Sequence, residues 1–139
     1  MPSLCWETYG SVTALINQTK LKMTDNPDSL MHKISGKFGE VNGRVAFEAA
    51  KAGDRAGLEV VEKYTEYVAD GITSVINIFE PEILVIGGGI SKEGEYLLNP
   101  IRKFVEINEF NKYRPKTKIE IASLNNDAGI IGAALSANR

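Results

Sequence analysis

The feature that most constrains the fold is an apolar run followed directly by three glycines, Ile83-Leu-Val-Ile-Gly-Gly-Gly-Ile-Ser91. Four consecutive apolar residues predict a short strand that is buried on both faces. Glycines have no Cβ and let another molecule approach the backbone closely. Ser91 can cap a helix over residues 92–105. This order is typical of a ligand site at the carboxyl edge of an α/β sheet, with a nucleotide as the leading candidate.

The three glycines also have a second interpretation. Their spacing matches neither G-x-G-x-x-G nor G-x-x-x-x-G-K-[ST], so neither common nucleotide motif applies. A tight strand-to-helix turn whose glycines serve only packing explains the local sequence as well as a ligand does. Both interpretations stay open on the local sequence alone.

Composition excludes several classes of protein. The 139 residues suit one domain, and 43% hydrophobic with 24% charged residues is ordinary for a soluble globular protein. A net charge of −2 gives no general attraction to nucleic acid or to a membrane surface. One cysteine excludes an internal disulfide, and no export signal or spanning segment is recognisable, so we expect a cytoplasmic protein.

Apolar periodicity and capping residues predict a helix-rich chain. The predicted helices begin near Tyr9 or Ser11, at Asn26-Pro27-Asp28 with an end at Gly36, at Arg44 with an end at Lys51, and at Arg55 with an end at Phe79. Asp54 is the predicted cap of the last and longest of them. Its final third, residues 72–79, is apolar on more than one face and should be deeply buried. We expect the helix after the glycines to break or kink at Pro100.

A second strand is predicted from Lys118 to Leu124, and Asn125-Asn126-Asp127 should cap a final helix over residues 128–135. Strand, helix and strand in this order favour a parallel pair, which normally belongs to a larger sheet. Asp127 and Gly129 would then lie at the same sheet edge as the three glycines, which favours a ligand crevice there. Close packing of the last helix on the sheet is the alternative interpretation of Gly129, and the local sequence favours it.

Few residues are candidates for chemistry. His32 is the only histidine, and a lone Cys5 cannot form a metal site by itself. Phosphoryl transfer needs a phosphate-binding turn, a metal site and a base for the acceptor hydroxyl. The residues predict one wall of a nucleotide site and neither of the other two parts.

Three blocks of the sequence resemble the ROK family (repressors, open reading frames, kinases): Cys5-Trp-Glu-Thr-Tyr-Gly-Ser11, Ile78-Phe-Glu-Pro-Glu-Ile-Leu-Val-Ile-Gly-Gly-Gly-Ile-Ser91 and Asn126-Asp-Ala-Gly-Ile-Ile-Gly-Ala-Ala134. Asn42-Gly-Arg-Val-Ala-Phe47 and Lys92-Glu-Gly-Glu-Tyr-Leu-Leu98 are most similar to the bacterial glucokinases of that family. The resemblance implies an α/β fold, the C-terminal lobe of an actin-like, ribonuclease-H-like ATPase, helix-rich and with an incomplete sheet. Residues 1–139 would form that single lobe, with the N-terminal lobe absent.

The resemblance also implies a function: phosphorylation of glucose or a related hexose by ATP with Mg²⁺, at the entry to glycolysis, by a homo-oligomer. It places Gly87, Gly88, Gly89 and Ile90 at the adenosine, with Asp127 and Gly129 near the same lobe edge. It assigns Glu7 to a sugar hydroxyl and Cys5 to the last position of a zinc motif, as the family residues C-x-C-G-x-x-G-C-x-E imply.

Parts of the family pattern do not occur in this sequence. Of the zinc motif only Cys5 and Glu7 are present, so we expect no zinc in this chain alone. The family's D-x-G-G-T phosphate turn and its catalytic aspartate segment are missing, so we expect the chain alone to be inactive. Two alternatives remain open: the sugar-sensing domain of a ROK transcriptional repressor, and a non-catalytic self-assembling module.

Overall fold

The computed structural model describes residues 5–123. Along this range the helices are α1 (Glu7–Gly10), α2 (Val12–Asp25), α3 (Leu30–Phe38), α4 (Val45–Lys51), α5 (Arg55–Phe79) and α6 (Glu95–Asn108), with strands β1 (Ile83–Ile86) and β2 (Lys118–Ile121) and a 3₁₀ helix, Gly89–Glu93. The predicted final helix, its cap, Asp127 and Gly129 lie outside the described residues. None of the helices in residues 5–123 is long and apolar enough to span a membrane.

The two strands pair in parallel, with Ile83 opposite Lys118 and Ile86 opposite Ile121. Helix α6 forms the crossover between them, which confirms the predicted strand–helix–strand unit. Burial of β1 on both faces is wrong. Ile83 and Val85 remain 52% and 54% exposed, because the helices described here cover only the face that carries Leu84 and Ile86.

Helix α5 is the centre of the fold and has the predicted bounds. Asp54 caps it, since the carboxylate Oδ2 accepts a hydrogen bond from the Gly57 amide at 2.8 Å. One apolar stripe along the helix packs against α1, α2, α4 and α6. Deep burial of its final third is wrong for Ile78 and Phe79, which are 71% and 73% exposed because the buried stripe ends at Ile76.

Three predicted helix boundaries also change. Asn26 ends α2, and α3 begins after Ser29, whose hydroxyl accepts a hydrogen bond from the Met31 amide at 3.2 Å. Helix α3 then runs through Gly36 and ends at Gly39, which supplies the left-handed conformation with φ 76°. Helix α6 is continuous through Pro100, although the proline lacks a backbone N–H donor, because Leu98 and Ile101 on either side of it are both buried in the core.

Candidate functional site

The glycine turn, residues 87–90, lies at the carboxyl end of β1. Gly87, Gly88 and Gly89 are all exposed. Gly88 has φ 82°, a conformation that favours glycine. Among residues 5–123, a Cβ on Gly88 or Gly89 would meet no atom within 4 Å, and one on Gly87 would meet only the Ala122 Cβ at 3.7 Å. Packing therefore does not explain why this turn is built from glycine, and its backbone faces open space.

Ser91 shapes this turn but does not cap α6 as predicted. Its hydroxyl donates a hydrogen bond to the Gly88 carbonyl at 2.6 Å, and its amide donates to the same oxygen at 3.1 Å. The 3₁₀ helix lies between β1 and α6, and α6 begins only after Gly94. Because Ser91 is 2% exposed, these bonds are shielded from water.

A cavity of about 460 Å³ lies beside the glycine turn, between α1, α5 and β1. Its lining is mostly apolar and includes Trp6, Gly10, Ile72, Val85, Gly87 and Ile90. Residues of the first block of the family resemblance, such as Trp6, and residues of the second block, such as Gly87 and Ile90, therefore line one cavity in the folded chain.

Trp6 fixes α1 against α5. Its indole Nε1–H donates a hydrogen bond to the Tyr67 carbonyl at 2.8 Å. A Cβ on Gly71 would lie 2.1 Å from the indole, and one on Gly10 would lie 2.9 Å from it. Gly10 and Gly71 are therefore packing glycines, in contrast to those of the turn. The buried Tyr64 hydroxyl donates to the Gly10 carbonyl at 3.1 Å, and burial raises the pKa of Tyr64 to about 12.

The two predicted site residues of this block, Cys5 and Glu7, are exposed and do not line the cavity. Among residues 5–123, no three histidine, cysteine, aspartate or glutamate side chains come together where they could hold a metal ion. A lone exposed thiol does not fit a structural zinc site, which needs four ligands. His32 Nε2 lies 3.0 Å from the Met23 carbonyl, a local contact between α2 and α3.

One contact beside the turn was not predicted. Lys51, at the end of α4, places its Nζ 2.6 Å from Glu93 Oε2, and the Glu93 side chain is only 5% exposed. The ammonium also lies 5.6 Å from the centre of the Tyr96 ring. No helical or strand spacing rule pairs residues 42 positions apart, so the sequence carries no local signal for this ion pair.

The chain is a helix-rich α/β unit with a small parallel sheet and a glycine turn at its carboxyl edge. It has the fold of one lobe of the actin-like ATPases. Residues 2–139 match the model of the ROK family, and the chain belongs to that family.

The chain is similar both to glucokinases and to a transcriptional repressor. The chain is 34% identical over 128 residues to a glucokinase of Halalkalibacterium halodurans, covering 92% of this chain and 39% of that protein. It superimposes on a ROK family glucokinase from Streptomyces griseus, in complex with glucose and AMPPNP, with a TM-score of 0.82 and 29% identity, covering 95% of this chain and 44% of that one. A xylose repressor of Caldicellulosiruptor bescii is 27% identical over 92% of this chain and 32% of its own length. The chain thus spans less than half of each of these proteins.

Proposed function

We propose that this chain supplies the adenosine side of the ATP site in a hexose kinase of the ROK family that acts on glucose or a related hexose. The observation that carries this proposal is the glycine turn, an exposed backbone at a sheet edge whose glycines are not required by packing. The likeness to a glucokinase that holds glucose and AMPPNP supports it.

In this proposal the residues of the glycine turn bind the adenosine part of ATP. The exposed backbone at Gly88 and Gly89 admits the flat adenine ring of the adenosine, and the apolar Ile90 beside it shields one face of that ring from water. Mg²⁺, when bound with ATP, would neutralise phosphate charge. Glu7 and Cys5 remain proposed sugar and zinc-motif residues, respectively, and Asp127 and Gly129 remain proposed neighbours of the adenosine. We also infer a homo-oligomer that acts in the cytoplasm.

The experiment that tests the proposal is ATP binding by the 139-residue chain, measured by isothermal titration calorimetry. Gly89→Val should weaken binding about tenfold or more, because its side chain fills the space that the ligand needs. Its folding should be preserved, since a Cβ there meets no atom of the described residues within 4 Å. Gly36→Val is the matched control, because Gly36 also has open space around it but lies in α3, away from the cavity.

Two results would count against this function: wild-type chain that does not bind ATP, or Gly89→Val with wild-type affinity. In the same preparation, a coupled assay with glucose and ATP should show no turnover. The D-x-G-G-T turn and the catalytic aspartate segment do not occur in this sequence, and proton abstraction from the sugar hydroxyl then has no base.

The repressor alternative has weaker support. The xylose repressor is 27% identical to the chain, against 34% for the glucokinase. Both classes share the fold, so the binding of ATP separates them: a sugar-sensing domain has no need of a nucleotide site at the glycine turn.

A further inference from the structure

We propose that the Lys51–Glu93 ion pair is a positioning device that holds the glycine turn in the shape that receives the nucleotide. This inference rests on the proposed function, because it assigns a role to residues that do not themselves touch the ligand. Lys51 and Glu93 are therefore positioning residues of the nucleotide site.

The need for such a device follows from the composition of the turn. Glycine has more backbone freedom to lose on ordering than any other residue, so a turn with three of them is costly to hold in one conformation. The hydrogen bonds from Ser91 to the Gly88 carbonyl, and from the Gly94 amide to the Ser91 carbonyl, join residues three apart. They shape the segment locally but do not attach it to the helical layer.

Glu93 makes a long-range polar contact with the helical layer. Its side chain is 5% exposed and accepts a hydrogen bond from Lys51 Nζ at 2.6 Å. Lys51 ends α4, and α4 packs tightly on α5 at Gly57, where an added Cβ would lie 2.8 Å from the Ala49 Cβ. The ion pair therefore connects the end of the glycine segment to a closely packed pair of helices.

The same lysine also contacts the element that follows the turn. Its Nζ lies 5.6 Å from the centre of the Tyr96 ring, and Tyr96 stands in the first turn of α6. Loss of Lys51 would leave a shielded carboxylate without its cation, and Glu93 would move toward water. Since Glu93 ends the 3₁₀ helix that begins at Gly89, that movement would be transmitted to the turn.

The test compares ATP binding and hydrogen exchange in variants of the 139-residue chain. Lys51→Met should weaken ATP binding about tenfold, because part of the binding free energy then goes into ordering the turn. Amide exchange over residues 87–94 should become faster. Lys51→Arg should restore both quantities, since a guanidinium can still reach Glu93.

Lys63→Met is the matched control. Lys63 pairs with Glu66 at 3.2 Å and lies 4.9 Å from the centre of the Tyr67 ring, so it makes the same two kinds of contact on α5, away from the turn. This variant should bind ATP as the wild type does and leave exchange over residues 87–94 unchanged. A general effect of removing a lysine charge would instead affect both lysine variants.

Glu93→Gln provides a second test if Lys51→Met does not fold, because it leaves no buried charge unpaired. It should show the same weaker binding and faster exchange. Wild-type ATP affinity and wild-type exchange in a folded Lys51→Met or Glu93→Gln variant would refute the positioning role while leaving the proposed function intact. A wild-type chain that binds no ATP would refute the proposed function, and the positioning role with it.

Discussion

Asp54 shows at the residue scale how one side chain organises several elements. Its Oδ2 accepts hydrogen bonds from the Gly57 amide and the Ser29 hydroxyl, both at 2.8 Å, and its Oδ1 accepts one from the Leu30 amide at 3.1 Å. The carboxylate therefore serves the first turns of both α5 and α3. The sequence predicted the cap of α5, but the contact to α3 joins residues 24 positions apart and has no local signal.

Replacing Asp54 by alanine should lower the free energy of unfolding by about 2 kcal/mol, because a lost helix cap costs about 0.5–2 kcal/mol and two helices are affected. Urea unfolding followed by circular dichroism measures this difference. Asp28→Ala is the control, since Asp28 is an exposed carboxylate in the turn that precedes α3. An equal loss in both variants would argue against the double cap.

The contribution of Asp54 should depend on pH. Burial acts to raise the pKa of this carboxyl, but the hydrogen bonds from Gly57, Ser29 and Leu30 outweigh it, and the pKa is lowered overall. A lowered pKa in the folded state means that the stabilisation is fully present above the ordinary aspartate pKa of about 3.9. It is lost as the pH falls through the lowered value. The difference between wild type and Asp54→Ala should therefore shrink below about pH 4.

At the element scale, the contact between α4 and α5 depends on the absence of a side chain. A Cβ on Gly57 would lie 2.8 Å from the Ala49 Cβ and 2.9 Å from the Ala50 amide nitrogen. Backbone atoms cannot move aside as the end of a flexible side chain can, so any larger residue at Gly57 forces the two helices apart.

Gly57→Ala should therefore destabilise the chain by about 2 kcal/mol, since overpacking typically costs about 1–3 kcal/mol. The same substitution at Gly36 should have the opposite sign. Gly36 lies inside α3 with no atom within 4 Å of an added Cβ, and alanine in a helix is favoured over glycine by about 0.5–1 kcal/mol. Urea unfolding of the two variants compares them directly. A stabilising Gly57→Ala would contradict the close approach of the helices.

The elements that could be predicted are those whose signals are local. Asp54 and the apolar stripe predicted α5 correctly, and the apolar run predicted β1 and the glycine turn. The errors concern burial and long-range contacts. The exposure of Val85 and Phe79 depends on which neighbours cover them, and the contacts of Trp6 with Gly71 and of Lys51 with Glu93 join distant positions. Periodicity contains no information about either.

At the scale of the whole molecule, the described residues leave one apolar surface of the sheet open. Ile83 and Val85 project from β1 on the face that the helices do not cover, and they belong to a run that is typical of a fully buried strand. On the other side of the sheet, Arg102 on α6 donates hydrogen bonds to the Ile119 carbonyl of β2 at 2.7 and 3.1 Å. Within residues 5–123, the face that carries Ile83 and Val85 is therefore the uncovered one, while α6 contacts the opposite side of the sheet.

An exposed apolar strand favours association through its face or edge. We therefore expect the 139-residue chain to associate increasingly as its concentration rises, as measured by size-exclusion chromatography with light scattering. Val85→Lys should reduce this association, because it places a charge on the open face without disturbing Leu84 or Ile86, which pack on the helices. Leu21→Lys is the matched control, since Leu21 is 71% exposed but lies on α2.

A wild-type chain that stays monomeric at high concentration would show that the open face of β1 is not an association surface. Equal effects of Val85→Lys and Leu21→Lys would indicate a general effect of added charge instead. If only Val85→Lys reduces association, the result locates the surface at β1, the strand that leads into the glycine turn. Association and the proposed nucleotide site would then share one strand, and a partner that completes the sheet would also hold β1 in place beneath the turn.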